Sequence, residues 1–187
     1  MRRRHLLHGL LLGPWWLGGG LPRLAWAQTA TLSSLSLARG DDALLLDFAV
    51  RLELSRAIED ALLRGMPLYF VAAATVRRRR WYWRDERIAR VRRTWRLAFQ
   101  PLTATWRVSL GALSTSHDTL PEALAALSAS AGWRVCELSL LADEGDYVEF
   151  SYRLDTEQLP RPMQIALPGA SDWNLGVERE LRVPAPR

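Results

Sequence analysis

The chain has 187 residues, 49% apolar and 24% charged, a balance that suits a folded domain and excludes a disordered tail, a collagen-like repeat and a polytopic membrane protein. All 25 basic residues are Arg, so no Lys exists for a Schiff base or a phosphate-binding loop. The one Cys (Cys136) has no second thiol for an intramolecular disulfide, and of three His two (His5 and His8) lie in the first eight residues, so Cys136 and His117 alone are too few for a zinc site.

The first residues have the layout of a secretory signal peptide. Arg2, Arg3, Arg4 and His5 open it, an interrupted apolar run follows from Leu6 to Leu21, and Ala25-Trp26-Ala27 supplies a small-x-small cleavage pattern. The expectation is a leader over residues 1–27, cleaved near Ala27, and a periplasmic protein. A retained membrane anchor is the alternative. Gly9, Gly13, Pro14 and Gly18 to Gly20 speak against it, because they break a run that falls short of about 20 solid apolar residues. Arg3-Arg4-His5-Leu6-Leu7 also resembles a twin-arginine export signal. Beyond Ala27 the chain carries 21 Arg against 20 acids, so overall basicity is no argument for nucleic acid, and export removes that partner as well.

Strict alternation then predicts strands in chain order. A short first strand holds Leu35 and Leu37, and Arg39-Gly40-Asp41-Asp42 turns it back; the adhesive tripeptide within that turn reads as ordinary Gly-Asp turn chemistry. Leu44, Leu46, Phe48, Val50, Leu52 and Leu54 form the apolar face of the next strand. Ser55 caps a helix carrying Ile58, Ala61 and Leu62, ended by Gly65 and Pro67. Leu68 to Val76 reads as a strand buried on both faces, followed by strands bearing Val91, Trp95, Leu97 and Phe99, then Trp106, Val108 and Leu110. Thr119-Leu120-Pro121-Glu122 opens a second helix with Leu120, Ala123, Leu124 and Leu127 on its buried stripe and Gly132 at its close. Cys136 falls in an alternating strand as a small hydrophobe, Val148 to Leu154 make another, and a late one holds Trp173, Leu175, Val177 and Leu181. The fold class expected is α+β, a mostly antiparallel β-sheet or sandwich of eight to ten strands with two packed α-helices, in a single domain over residues 28–187.

Arg77 to Arg107 is the unusual stretch, with 11 Arg against only Asp85 and Glu86. The chain after Arg107 has a net charge of −6. Arg90, Arg92 and Arg96 share the strand face opposite Trp95, where in-face neighbours stand about 6.6 Å apart, so they form a row able to contact a polyanion. Trp81, Tyr82, Trp83, Arg84, Arg90, Arg92, Arg96 and Arg107 are therefore the candidate partner-binding residues. An envelope protein, an anionic lipid or an acidic glycan is the kind of partner they suit. The plainer reading is that acids from the later half pair with these Arg residues across neighbouring strands while their stems cover apolar surface.

Catalytic constellations are thin. His117 beside Asp118 lacks any nucleophile-elbow sequence, and the adjacent acids Asp85 and Glu86 point to opposite faces of a strand. No catalytic residue, metal or cofactor is expected. A non-enzymatic binding module leads, with an envelope hydrolase acting on glycan or peptide, or a structural accessory of a membrane complex, as alternatives.

Several motifs in order resemble an uncharacterised family of exported proteobacterial proteins, domain of unknown function 4390. They are Gly65-Met66-Pro67-Leu68-Tyr69-Phe70, Arg80-Trp81-Tyr82-Trp83-Arg84-Asp85-Glu86, and Leu102-Thr103 before Trp106-Arg107-Val108. Leu154-Asp155-Thr156-Glu157-Gln158-Leu159-Pro160-Arg161-Pro162 and Asp172-Trp173-Asn174-Leu175 extend the similarity. Trp106 stands where such proteins often carry Tyr. The resemblance implies an envelope role beside a nitrogen-regulation-type membrane histidine kinase, by gene neighbourhood, and it supplies no catalytic residues.

Overall fold

Each alternating run becomes a strand because one of its faces has apolar side chains to bury and the other has none. The computed structural model describes residues 29–82, 84–142, 144–159 and 173–185, so the leader expected over residues 1–27 lies outside the described residues. Among these are nine strands: β1 (Thr29–Arg39), β2 (Ala43–Glu53), β3 (Leu68–Arg78), β4 (Glu86–Gln100), β5 (Thr105–Leu110), β6 (Leu113–His117), β7 (Ala129–Glu137), β8 (Asp146–Leu154) and β9 (Gly176–Arg182). Two helices, α1 (Arg56–Leu63) and α2 (Leu120–Leu127), interrupt the series. The strands form a three-stranded sheet in the order β1-β2-β7 and a six-stranded sheet in the order β6-β5-β4-β3-β8-β9. All pairings are antiparallel, as the alternation predicts. No described helix is long and apolar enough to cross a membrane.

The core lies between the sheets. Leu44, Leu46, Phe48 and Val50 of β2 meet Phe70, Ala72 and Ala74 of β3, Trp95 and Leu97 of β4, and Phe150 and Tyr152 of β8. The Phe48 ring sits 5.0 Å from Phe150, 6.0 Å from Tyr152, 6.1 Å from Trp133 and 6.2 Å from Trp95. Tyr152 is fully buried, and its hydroxyl donates to the Leu127 carbonyl at 3.1 Å, which satisfies its polar tip and ties β8 to α2.

Both helices start where the caps predict. Ser55 Oγ accepts from the Ile58 amide at 3.2 Å, and Thr119 Oγ1 accepts from the Glu122 amide at 3.4 Å. Gly65, at φ +82°, lets the chain leave α1 and enter β3.

Four details differ from the sequence expectation. The first strand begins at Thr29 rather than near Leu35, because the pairing jumps at Ser33 and places Leu32 and Leu35 on the same face, which hides the period. Gly132 does not close α2, which ends at Ser128. It lies inside β7 at φ +59°, opposite a register shift in β2, and its amide donates to Asp47 Oδ1 at 2.5 Å. β6 went unseen because Leu113-Ser114-Thr115-Ser116-His117 is an exposed polar edge strand with no apolar face to betray it. The late strand starts at Gly176, with Trp173 and Leu175 buried ahead of it.

Candidate functional site

Parity along β4 sorts its Arg residues. Arg90 pairs with Thr75, Arg92 with Ala73 and Arg96 with Tyr69, all on the face away from the core, and the three guanidinium groups are exposed. Trp95, 3% exposed, points the other way. From Arg90 to Arg96 the row runs about 20 Å at the usual strand rise. On β5, Arg107 pairs with Ala98 and Ser109 with Arg96, so Arg107 stands diagonal to Arg96 on the same face, at about 7–8 Å.

A bulge extends the row. Val76 pairs with Ala89 but Arg77 pairs with Arg87, so Ile88 is the extra residue and Arg87 moves to the outer face beside Arg90. Simple alternation from Arg90 turns Arg87 inward, and nothing in Arg87-Ile88-Ala89 marks a bulge, so sequence reasoning missed this residue.

The turn joining β3 to β4 carries the exposed aromatics. Trp81 is 94% exposed and Tyr82 64%, their rings edge-on at 5.0 Å, with Arg84 exposed beside them. Trp83 lies outside the described residues. Trp95 and Trp106 are core residues and take no part in the surface. The eight candidates therefore do not converge on one pocket: the aromatics sit at one end of β4, and Arg107 lies about 40 Å along the strand at the other.

The two readings of the Arg residues divide them cleanly. Arg77 pairs with Glu149 at 2.7 Å, Arg78 with Asp146 at 2.9 Å, Arg79 with Glu180 at 2.5 Å, and Arg80 with Glu86. Three of those acids come from β8 and β9, as the plainer reading expects. The Arg79 guanidinium also lies 5.1 Å from the centre of the Tyr147 ring. The Tyr147 hydroxyl donates to Asp85 Oδ2 at 2.5 Å, and Asp85 Oδ1 accepts from the Arg80 amide at 3.3 Å. These hydrogen bonds hold the Asp85 carboxyl below the usual carboxylate range, while burial and then the Asp85 partner push the Tyr147 hydroxyl up to about 12. Arg93 turns inward, where its Nη1 donates to Ser130 Oγ at 2.5 Å and its guanidinium stands 5.2 Å from the Trp133 ring.

The remaining Arg residues are different. Among the described residues, no ion pair reaches Arg84, Arg87, Arg90, Arg92, Arg96 or Arg107. Across the same face, Glu149, Glu178 and Glu180 line the far side of a trough of about 440 Å³ that also includes Ala73, Thr75, Ser151 and Arg90. The outer face is thus positive along β4 and β5 and mixed on β8 and β9, where Glu149 and Glu180 are held by Arg77 and Arg79 and Arg153 and Arg182 share the face.

Catalytic candidates are occupied otherwise. His117 Nε2 is 3.0 Å from Thr115 Oγ1, with no carboxylate partner among the described residues. Asp85 and Glu86 hold Tyr147 and Arg80. Among the described residues no group of three His, Cys, Asp or Glu is placed to hold a metal. Cys136 is buried, which pushes its thiol up and away from the reactive thiolate.

The model of a family described as Domain of unknown function (DUF4390) matches residues 27–181. No curated protein and no solved structure matches the chain.

Proposed function

This chain belongs to the DUF4390 family, and we propose that it acts as an exported, non-enzymatic binding protein that captures an anionic partner through the outer face of its six-stranded sheet. One observation carries the reading. Arg87, Arg90, Arg92, Arg96 and Arg107 line that face exposed and without an acid partner among the described residues, although the same protein pairs Arg77 to Arg80. Unpaired guanidinium groups held in a row by a rigid sheet suit bidentate contact with carboxylate, sulfate or phosphate oxygens. The signal-peptide-like leader supports a periplasmic setting, and the family's suggested neighbour, a membrane histidine kinase, is one envelope protein that such a row could contact. The hydrolase alternative has less support, since His117, Asp85 and Glu86 are spent on Thr115, Tyr147 and Arg80.

The test uses dextran sulfate as a soluble polyanion. The combined variant Arg90→Ser, Arg92→Ser, Arg96→Ser should keep its circular dichroism spectrum and melting behaviour, because all three side chains are exposed. Its affinity should fall by tenfold or more, and the slope of log affinity against log salt should shrink by about 1 for each Arg removed. Unchanged affinity and slope would count against the binding face.

A further inference from the structure

We propose that the tip of the β3–β4 hairpin docks this protein peripherally on an anionic lipid surface, with Trp81 and Tyr82 entering the interface and Arg84 and Arg87 contacting lipid phosphates. The proposal rests on the binding reading above and names its ligand class.

Trp81 and Tyr82 are adjacent, aromatic and largely exposed, and they contact each other edge-on. Leu63, Leu102 and Leu113 are also exposed, but they are single aliphatic residues of the kind common on any surface. A hairpin tip is convex. A bilayer interface yields around such a protruding, largely exposed pair of rings. Trp and Tyr favour that boundary because each has an apolar body and a polar edge that stays wet.

The surroundings match the same surface. Arg84 and Arg87 are exposed and lack an acid partner among the described residues, and Arg90 and Arg92 continue along β4 from Arg87. Guanidinium groups suit phosphate oxygens at the headgroup level while their stems lie along apolar surface. Leu140 is exposed at the same end, where its carbonyl accepts from Arg78 Nη2 at 3.0 Å. The base of the tip is already fixed by Arg78–Asp146, Arg79–Glu180, Arg80–Glu86 and Tyr147–Asp85, so docking orders little new chain.

Co-sedimentation with vesicles tests the idea, comparing phosphatidylcholine alone with an equal mixture of phosphatidylcholine and phosphatidylglycerol. The exported protein should bind the mixed vesicles and not the neutral ones. The double variant Trp81→Ala, Tyr82→Ala should bind the mixed vesicles about tenfold more weakly or worse. It should melt like the parent and bind dextran sulfate with unchanged affinity. Equal vesicle binding by variant and parent would overturn the proposal. Dextran sulfate binding without vesicle binding would also overturn it while leaving the binding face intact, pointing to an acidic glycan or protein. Loss of both would sink the two readings together.

Discussion

At the scale of single residues, the hairpin base shows what a buried charge demands. The Asp146 side chain is fully buried, and it accepts from Arg78 Nε at 2.9 Å, Arg78 Nη2 at 3.1 Å and the Ala142 amide at 2.7 Å. A carboxylate out of water is tolerable only with such donors. Arg78→Ala would strand it, and the variant should lose about 3 kcal/mol in denaturant unfolding, the bottom of the range for breaking a buried pair because Arg78 itself is part-exposed. An unchanged midpoint would show that the pair is dispensable. Tyr147 sets an alkaline limit. Its hydroxyl holds its proton to about pH 12 in the folded chain, against 10 in the unfolded one, so the folded state binds more protons in that interval and stability falls as pH rises through it. Burial raises Tyr152 in the same direction. Tyr147→Phe should show a shallower loss of melting temperature from pH 10 to 12 than the parent. Identical slopes would remove Tyr147 from the account.

At the scale of elements, legibility followed the number of faces an element buries. β2, β4 and β8 bury an apolar face against the opposite sheet and so carry a period of two, whereas β3 is apolar or small on both faces and was legible from its continuous apolar run. The helices were legible from Ser55 and Thr119 because a cap is a local hydrogen bond that needs no tertiary partner. β1 and the start of β4 were harder, since a bulge at Ser33 and another at Ile88 each shift the parity by one residue. β2 is the element both layers depend on, through Phe48. Phe48→Ala removes a ring that touches Trp95, Trp133, Phe150 and Tyr152, and should cost about 3–5 kcal/mol. Unfolding followed by far-ultraviolet and by tryptophan signals should still show one coincident transition. Two separated transitions would mean that the sheets are stabilised independently.

At the scale of the whole molecule, strand order decides which charges remain free. β3 lies beside β8, so Arg77 and Arg78 reach Glu149 and Asp146, and Arg79 reaches β9. β4 lies between β3 and β5, and neither neighbour carries an acid, so Arg90, Arg92 and Arg96 have none on an adjacent strand, and Arg90 forms no ion pair among the described residues although it shares a trough with Glu149, Glu178 and Glu180. Two strand spacings of about 4.8 Å separate β4 from β8, and over such distances exposed charges are partly screened. The positive band on the outer face is a consequence of topology acting on an ordinary supply of acids.

The amino-acid order alone settled the antiparallel α+β class, the placement of both helices, the concentration of Arg between residues 77 and 107, and the shared face of Arg90, Arg92 and Arg96. Those features are local, since periodicity, caps and composition act over a few residues. Only the tertiary structure showed that Arg77 to Arg80 are paired, that Arg87 joins the outer row, that Arg93 turns inward to Trp133, and that the exposed aromatics lie far from Arg107. Each of these depends on which strands become neighbours and in what register, and that is fixed by contacts between residues distant in the chain.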